Sequence, residues 1–509
     1  MKDNFYITTP IYYPSAKPHM GHAYSSIVAD FFARLKRIQG HKVFFLTGTD
    51  EHGQKIQRAA EKSNKDPLEF CDEISKTFRN LSSLLNLSND DFIRTTEKRH
   101  HLAASFFWEN LEKNDQVYID KYSGWYSVKD EAYYQEKELV KNNAGDLVTI
   151  DGGSVEWVEE ESYFFRLSKW QDKLLDFYEK NKNFVYPDSR YNEVKSFVKS
   201  GLKDLSISRT SFSWGIKVPN TNHVMYVWID ALVNYLTSLG YPDLEKKKEY
   251  WQNSYHIIGK DILKFHAVYW PALLLANKLN LPKRIIAHGW WTNEGKKISK
   301  STGNTIDPNV MIDKFGLDQF RYFLMREIPL GNDGDFSEKA FLNRINSDLS
   351  NNLGNLIQRV MKFIYKNYDN CLPSKIDSKL KGYNLINDGY DLLPLIDEKI
   401  QNFEISRCLE EIFTFIDKLN KFVDSNEPWK VFKVDRDKAG NGLSILVENF
   451  RIIGILLQPF IPNFSTNLLN LLNINENERN FKFLNIECSR KLVPEHLSPI
   501  IVKYFTIND

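Results

Sequence analysis

Residues 4–50 decide the fold, and they read NFYITTPIYYPSAKPHMGHAYSSIVADFFARLKRIQGHKVFFLTGTD. The short apolar run at 4–9 is typical of a buried strand. After a loop with three prolines, apolar side chains recur at spacings of three and four over 27–38, which predicts a helix that ends at Gly40. The apolar run at 43–47 predicts a second strand. A strand, a helix and a strand in this order predict a βαβ unit and therefore a parallel sheet.

The rest of the chain changes character twice. Residues 54–113 are predicted to be helical, with PLEF after Asp66 as one helix start. From 117 to 165, short alternating runs such as VYID and GWYSV predict a small β-rich or mixed module. Beyond about residue 335 the pattern is helical and amphipathic. We therefore predict a split α/β nucleotide domain, an insertion inside it and a C-terminal helical domain.

Composition and charge exclude several classes of protein. The 509 residues correspond to about three domains at roughly 100–200 residues each. Lys and Arg total 67 and Asp and Glu 66, a net charge of +1, so any nucleic-acid contact must come from local patches. The four cysteines are far apart and form no CxxC pair, so their spacing indicates neither a disulfide framework nor a thiolate zinc site. This cysteine pattern fits a reducing compartment. With no run of 18 apolar residues and no signal-peptide pattern, we expect a cytoplasmic protein.

The first motif is His19-Met20-Gly21-His22, between the predicted strand and the predicted helix. Histidines three apart share one face at a helix N-terminus, where free N–H groups and the helix dipole favour phosphate. Gly21 leaves room for a nucleotide to approach the backbone. Taken alone, an HxxH pair is more often an ordinary surface pair.

The second motif is KISKS at 297–301, in the loop EGKKISKSTGN. Lys297 and Lys300, with Ser299 between them, suit a triphosphate. Attack on the α-phosphate moves negative charge onto pyrophosphate, and cations stabilise that charge. A KxxK pair alone is usually a solvated basic loop. A KISKS motif that follows an HMGH motif in this order and context is unlikely to arise by chance.

The two motifs make the chain similar to the class I aminoacyl-tRNA synthetases, whose HIGH and KMSKS motifs match HMGH and KISKS. More closely, the chain resembles the methionyl-tRNA synthetase family. The resemblance extends from residue 5 to about 460. The matching stretches are FYITTPIYYPSAKPHMGHAYSSIVAD, FLTGTDEHG, DFIRTT, YVWIDALVNYL, IIGKDILKFHAVYWPAL, KKISKSTGN, NNLGNLIQR and PWKVF.

The resemblance implies an α/β fold: a Rossmann-type parallel-sheet catalytic domain split by a connective insertion, then an α-helical-bundle anticodon-binding domain. We expect the catalytic halves at 1–116 and 225–335, the insertion at 117–224 and the helical domain at 336–509. The implied reaction joins L-methionine to tRNA(Met) through methionyl-adenylate, with ATP and Mg²⁺, releasing AMP and pyrophosphate. Initiator and elongator tRNA are both implied partners. The chain stops without the extra module linked to dimers in some family members, so we expect a monomer.

The amino-acid site draws on aromatic residues, because a thioether packs well against aromatic rings. The sequence supplies rings at Trp228, Tyr235, Phe265, His266 and Trp270. Asp50, after an apolar strand, is a candidate partner for the substrate ammonium. By resemblance these residues form the methionine pocket together with Ile11, Tyr12 and Ala231. The alternative is simple core packing, and it is strongest for Trp270.

The ATP site draws on both motifs and on IIGKDI. Gly259 and Asp261 follow a predicted strand, at the sheet edge where ligands bind. The resemblance places the adenosine moiety there, with Asp261 accepting from a ribose hydroxyl; the alternative is a helix cap. The remaining ATP residues implied are His19, Gly21, His22, Lys297, Ser299 and Lys300. His19, His22, Lys297 and Lys300 are the expected catalytic residues, acting by positioning and charge stabilisation.

The insertion departs from the family pattern. Many members carry cysteine pairs that bind zinc there, whereas Ser127 and Asp130 occupy the first expected CxxC. A tetrahedral zinc site needs thiolate or imidazole ligands. Residues 118–165 contain neither Cys nor His, so we predict no structural zinc.

In the helical domain, Trp429 follows Pro428 at a turn, where an aromatic ring can stack on an unpaired base. Arg359, with Asn352 on an earlier turn of the same predicted helix, can read base edges. The resemblance implies that this surface recognises the CAU anticodon. The alternative is that Trp429 packs between helices.

Two other functions compete with this interpretation. A cysteinyl or leucyl synthetase would share the superfamily, but the first is expected to use a thiolate-binding zinc and the second to carry a larger editing insertion. A non-catalytic RNA-binding protein derived from a synthetase is the other alternative, and the intact HMGH and KISKS motifs argue against it.

Overall fold

The computed structural model describes residues 3–142, 144–150, 152–245, 247–297, 305–369, 371–373, 376, 378–380, 382–485 and 492, and of Lys297 only the backbone. These residues form two compact units. The sheet unit comprises Asp3–Pro18 and Val43–His288, and the helical unit comprises His19–Lys42 and the chain from Gly289 onward.

The strands of the sheet unit are β1 Asn4–Tyr12, β2 Lys42–Thr49, β3 Asp91–Arg94, β4 Val117–Ser127, β5 Ala132–Tyr134, β6 Leu139–Lys141, β7 Leu147–Thr149, β8 Glu156–Phe165, β9 Val185–Tyr186, β10 Leu205–Ser206, β11 Ser208–Arg209, β12 Val224–Met225, β13 Ser254–Gly259 and β14 Arg284–His288. Its α-helices are α2 Gln54–Lys62, α3 Pro67–Leu84, α4 Lys98–Lys113, α5 Gln171–Lys180, α6 Asp188–Lys199, α7 Val227–Thr237, α8 Lys248–Gln252 and α9 Trp270–Ala276. A π-helical turn, Phe265–Tyr269, leads into α9.

The α-helices of the helical unit are α1 Met20–Ile38, α10 Pro308–Phe315, α11 Leu317–Arg326, α12 Glu338–Arg344, α13 Asn355–Asn367, α14 Asn384–Tyr390, α15 Leu392–Gln401, α16 Ile405–Asn426, α17 Pro428–Val431, α18 Arg436–Leu457 and α19 Pro462–Leu471. Its strands are β15 Trp291–Asn293, β16 Lys296–Lys297 and β17 Gly334–Phe336. A π-helical segment, Ile345–Gly354, joins α12 to α13.

The main sheet of the sheet unit has six strands in the order β3-β2-β1-β13-β14-β9. Strand β13 pairs in parallel with both β1 and β14, and β2 pairs in parallel with β3. The predicted parallel sheet is therefore confirmed. The edge strand β9, which also pairs in parallel with β14, lies inside the range 117–224 predicted for the insertion, so the main sheet also draws on that range.

Strand β3 corrects the expectation of helices throughout 54–113. It is only four residues long, and Phe92 and Ile93 are its buried members. So short an apolar run has no readable periodicity of its own. Its strand conformation is stabilised by pairing with β2, which lies more than 40 residues earlier in the chain.

The expected β-rich module is present. Strands β10, β8, β4 and β5 form a four-stranded sheet in that order, with antiparallel pairing throughout. β4 and β8 pair over Val117–Tyr126, and β6 and β7 form a separate antiparallel pair. This sheet is distinct from the main parallel sheet.

Local signals place several helix ends. Asp66 caps α3 by accepting from the Leu68 N–H, and Pro67 is the first residue of that helix, as PLEF predicted. Helix α1 ends at Ile38, and Gly40 follows with φ +87°, a left-handed conformation that glycine adopts without steric cost. Both predictions are confirmed.

One buried arginine ties α1 into the helical unit. The Arg321 guanidinium of α11 lies 2.7 Å from the Asp30 carboxylate of α1 and donates to the carbonyls of Pro459 and Phe460, just before α19. Burial alone disfavours the charged guanidinium, and Asp30 compensates for it. Because α1 carries His19 and His22 at its start, this ion pair also holds the HMGH motif in the unit.

One described helix, α18, has the length and apolar composition of a membrane span. Of its most apolar 18-residue stretch, 89% is buried inside the protein. Such burial is typical of a core helix, and α18 packs against α13, α14, α17 and α19.

Candidate functional site

The loop Asp50–Gly53 follows β2 in the sheet unit, and its members are held on several sides. Glu51 accepts from Arg94 Nε at 2.7 Å, and its N–H donates to Thr95 Oγ1 at 2.9 Å. His52 Nδ1 lies 2.6 Å from Asp230 Oδ2. The loop is therefore a rigid support for Asp50.

Asp50 is the exception within this loop. Its side chain is buried, and among the described residues its Oδ1 atom has no hydrogen-bond partner. Burial, and then the nearby charge of Asp230, raises the pKa of Asp50 well above its usual range. A buried carboxylate in this position is completed by a cation, which makes it suited to a substrate ammonium.

Four of the predicted pocket residues come together in the sheet unit. The Trp228 and Phe265 rings stack with centroids 3.9 Å apart and an interplanar angle of 5°. His266 meets the edge of Trp228 at 5.9 Å, and Tyr235 lies 2.8 Å from His266 Nε2. All four side chains are buried. They form an aromatic wall of the kind that a thioether packs against.

The protonation state of His266 follows from its partners. Its Nδ1 lies 3.0 Å from the Ile262 carbonyl oxygen, which can only accept, so Nδ1 carries the proton. Burial lowers the pKa of His266 to about 4, so the ring is neutral near pH 7. Nε2 therefore accepts a hydrogen bond from the Tyr235 hydroxyl. The pocket is polar at one point but carries no charge there, as an uncharged side chain requires.

The other predicted pocket residues are placed less uniformly. Ala231 is buried on α7, three residues after Trp228 and four before Tyr235, which puts it on their face of the helix. Ile11 is half-buried. The Trp270 ring is fully buried among Phe107, Trp251 and Tyr235, with centroids 5.8, 6.1 and 6.4 Å away. Trp270 thus belongs to the core that backs Tyr235.

The two tyrosines at the end of β1 differ. The Tyr12 ring stacks on Phe78 at 5.6 Å, in a small cluster with Phe92. The buried Tyr13 hydroxyl interacts with the Asp50 carboxyl and lowers its pKa, although no hydrogen bond of regular geometry is formed; burial and the charge of Asp50 raise the pKa of Tyr13 well above the usual range. Sequence reasoning missed Tyr13. The alternation of side chains along a strand was the available signal, because neighbours point to opposite faces.

Gly259 and Asp261 lie where the sequence predicted, at the carboxyl end of β13 in the middle of the sheet. A Cβ atom on Gly259 would lie 2.5 Å from Asp261 Oδ1, so a larger residue would displace that carboxylate. Asp261 itself is exposed. The pair fits a ligand at the edge of a parallel sheet.

The HMGH motif starts α1 in the helical unit. His19 is the N-cap: its Nδ1 accepts from Gly21 N–H at 3.1 Å, and His22 Nδ1 accepts from His19 N–H at 3.0 Å. With Nδ1 accepting, each neutral ring carries its proton on Nε2. The rings lie 4.0 Å apart. A Cβ on Gly21 would meet His19 Cε1 at 2.9 Å, so glycine keeps this double cap compact.

The second motif begins at the end of a hairpin in the same unit. β15 and β16 pair in antiparallel register, joined by Glu294 and Gly295, which both have positive φ. Two such residues are typical of a tight hairpin turn. The backbone of Lys297 pairs with Thr292. Ser299 and Lys300 lie outside the described residues.

A cleft of about 380 Å³ lies in the helical unit and contains one of the predicted anticodon residues, Arg359. The Arg359 guanidinium lies 5.3 Å from the centre of the half-buried Trp429 ring and 3.1 Å from Asp424 Oδ1. The cleft is lined by Asn351, Asn355, Gln358, Arg359, Lys362, Asn420 and Asp424.

Asn352 is engaged elsewhere. Its amide nitrogen donates to Asp417 at 2.7 Å, and its amide oxygen accepts from Asn420 at 2.7 Å. Asn355, one turn before Arg359, lines the cleft and was missed by sequence reasoning. The preceding segment is π-helical, with more residues per turn than an α-helix, so a seven-residue spacing does not return to the same face.

The first expected zinc-ligand pair is a hydrogen-bonded turn. The Ser127 hydroxyl donates to Asp130 at 2.9 Å, and Tyr134 donates to the same carboxylate at 3.2 Å. Within the described ranges, no group of three His, Cys, Asp or Glu side chains could hold a metal ion. The turn is held by side-chain hydrogen bonds.

Comparisons with known proteins identify the family of the chain. The family of class I tRNA synthetases (M) matches residues 5–361, and the anticodon-binding domain of methionyl tRNA ligase matches residues 373–488. The chain belongs to the methionyl-tRNA synthetase family. The match across both parts supports the α/β fold with a parallel sheet and a C-terminal helical anticodon-binding region.

Individual relatives of this synthetase family are similar over almost the whole chain. The methionine–tRNA ligase of Rickettsia bellii (strain RML369-C) is 51% identical over 514 residues, covering 99% of each chain. That of Brucella suis biovar 1 (strain 1330) is 48% identical over 482 residues, covering 94% of each. The structure of Mycobacterium tuberculosis methionyl-tRNA synthetase in complex with methionyl-adenylate has a TM-score of 0.95 and 41% identity, covering 98% of this chain and all of that one.

Proposed function

We propose that this chain attaches L-methionine to tRNA(Met), with Asp50 and the aromatic wall selecting the amino acid. As a methionine–tRNA ligase, it works with ATP in two steps. The methionine carboxylate attacks the α-phosphate of ATP, forming methionyl-adenylate and releasing pyrophosphate. The terminal adenosine hydroxyl of the tRNA then takes the methionyl group and releases AMP. The observation that carries the residue assignment is the incompletely partnered, buried Asp50 carboxyl.

Pyrophosphate exchange across the amino acids tests this function. We expect exchange with methionine and only background exchange with cysteine and leucine, because the thioether of methionine packs well against the aromatic wall around Trp228 and Phe265. Exchange with another amino acid at a higher kcat/KM than methionine would overturn the assignment. A protein that binds tRNA but exchanges with none would favour the non-catalytic alternative.

The residues proposed for ATP act by position and charge. His19 and His22 are proposed to donate from Nε2–H to phosphate oxygens at the start of α1, where the helix dipole also favours negative charge. Lys297, Ser299 and Lys300 are proposed to hold the pyrophosphate group, with Mg²⁺ accompanying ATP. Gly259 and Asp261 are proposed to hold the adenosine. Catalysis requires no covalent enzyme intermediate.

We propose that the cleft beside Trp429 reads the anticodon. Arg359 supplies a planar set of donors for a base edge, and Asn355 and Gln358 supply amides on the same helix. The Arg359 guanidinium lies 5.3 Å from the centre of the half-buried Trp429 ring. The same ring can stack on an unpaired base. Asn352 supports this surface through Asn420, which also lines the cleft.

Trp429→Ala is expected to damage tRNA charging and to leave adenylate formation near wild type. Loss of one base-stacking contact costs about 1–3 kcal/mol of binding, which appears in the tRNA KM. Val434→Ala is a matched control, because Val434 follows α17 closely and is 90% exposed. Melting temperature, pyrophosphate exchange and aminoacylation are measured on one preparation of each variant. Equal losses in both reactions with a lower melting temperature would show that Trp429 is a packing residue.

The insertion is expected to fold without a metal. The Ser127–Asp130 turn already has its own hydrogen bonds, and 118–165 holds neither Cys nor His. Elemental analysis of purified protein should give much less than one zinc per chain, and a chelator should leave activity unchanged in excess Mg²⁺. Stoichiometric zinc that is lost together with activity would contradict this prediction.

Several finer expectations stay predictions. They are the domain boundaries, the monomeric state, the cytoplasmic location and the use of both initiator and elongator tRNA. Size-exclusion chromatography with light scattering tests the monomeric state. Charging of purified initiator and elongator tRNA tests the use of both tRNAs.

A further inference from the structure

A fully buried carboxylate, Asp230, lies behind the methionine pocket and belongs to none of the substrate-binding residues above. Its Oδ2 atom lies 2.6 Å from His52 Nδ1, and its Oδ1 atom lies 2.7 Å from His100 Nε2. Asp230 is on α7, His52 is in the loop after β2, and His100 is on α4. One carboxylate therefore joins three segments that are far apart in the sequence.

Helix α7 has two working faces. Trp228, Ala231 and Tyr235 share the face toward the pocket, whereas Asp230 and Thr237 lie seven residues apart on the face toward α4. His100 contacts both of the latter, Asp230 through Nε2 and Thr237 Oγ1 through Nδ1 at 3.0 Å. Two contacts two turns apart determine how α7 is rotated, and so where its pocket face points.

The same carboxylate holds the loop that carries Asp50. His52 is two residues after Asp50, and Glu51 between them is held by Arg94 and Thr95 at the end of β3. The bond from His52 to Asp230 is thus the loop's link to α7. Burial alone would raise the pKa of Asp230, but His52 and His100 hold it well below its usual range, so the carboxylate is ionised.

We propose that Asp230 is a positioning residue that sets the separation between the Asp50 carboxylate and the aromatic face of α7. Methionine must reach both at once, with its ammonium on Asp50 and its side chain on Trp228. A displacement of about 1 Å between two such groups can cost on the order of 10²-fold in rate. This inference rests on the proposed methionine site. Asp230 is proposed to act through His52 and α7 and not by contact with the substrate.

Asp230→Asn tests the inference, because asparagine keeps the shape but has no charge and only one strong acceptor oxygen. In pyrophosphate exchange we expect the methionine KM to rise about 10- to 100-fold, with the ATP KM within about twofold of wild type. Glu448→Gln is the matched control: Glu448 is a buried carboxylate paired with Arg451 in the helical unit. It should lower the melting temperature and leave the methionine KM unchanged.

A second pair of variants covers the case in which Asp230→Asn does not fold. His52→Ala removes the donor to Asp230, whereas His52→Gln keeps an N–H that can reach it. We expect the alanine variant to raise the methionine KM and the glutamine variant to restore most of it. An unchanged methionine KM in folded Asp230→Asn or His52→Ala overturns the inference, and so does a lower melting temperature with an unchanged KM.

Asp50→Asn, measured alongside, separates the two possible failures. If Asp50→Asn leaves the methionine KM unchanged, the proposed methionine site is wrong. If Asp50→Asn raises it and Asp230→Asn does not, the site stands and only the positioning role of Asp230 is wrong.

Discussion

Asp50→Asn is expected to lower kcat/KM for methionine in pyrophosphate exchange by roughly 10²–10³-fold, about 3–4 kcal/mol. The carboxylate is buried, and its Oδ1 atom lacks a hydrogen-bond partner among the described residues, so the substrate ammonium has no equivalent partner once the charge is gone. The loop should stay in place, because Glu51 and His52 hold it independently. The effect should therefore fall on methionine and not on the ATP KM.

The pH profile of the same variant provides its control. Burial and the charge of Asp230 raise the pKa of Asp50, with Glu131 adding to the effect. Only the ionised carboxyl can pair with an ammonium, so wild-type kcat/KM for methionine should fall as pH drops through this raised pKa. The fall should lie above the usual Asp value of about 3.9. Asp50→Asn should lack this limb, and an identical limb in the variant would assign the titration to another group.

Lys300→Ala is expected to lower the rate of adenylate formation by about 10²–10³-fold, the usual cost of one lost charge-stabilising donor. The prediction rests on the KISKS motif and on its position after the β15–β16 hairpin. The methionine KM should change little, because Lys300 is proposed to contact the leaving pyrophosphate.

Lys296→Ala is the matched control for this loop. Lys296 is exposed on β16 and lies outside the motif, so the variant removes the same charge at a position near Lys300 in the sequence. Its exchange rate should stay within about threefold of wild type, as for most surface substitutions. A folded Lys300→Ala variant with wild-type exchange kinetics would reject the proposed role, and equal losses in both variants would point to the general charge of the loop.

The sequence by itself determined the features that depend on near neighbours. The apolar run before HMGH predicted β1, and the apolar spacing after it predicted α1, because strand and helix periodicity are local properties. Gly40 predicted the end of α1, because glycine tolerates a positive φ. Asp66 and Pro67 likewise predicted the start of α3. The two motifs also predicted the family, since their order along the chain is itself a sequence property.

Only the tertiary structure decided which side chains face one another. Strand β3 is stabilised by pairing with β2, and the π-helical segment before α13 changes which residues line the cleft. Asp230 meets His52 across 178 residues of sequence. Contacts over such separations leave no periodic signal in the chain, because packing between distant segments creates them and local propensity does not. The support behind Asp50 could therefore be found only in the folded protein.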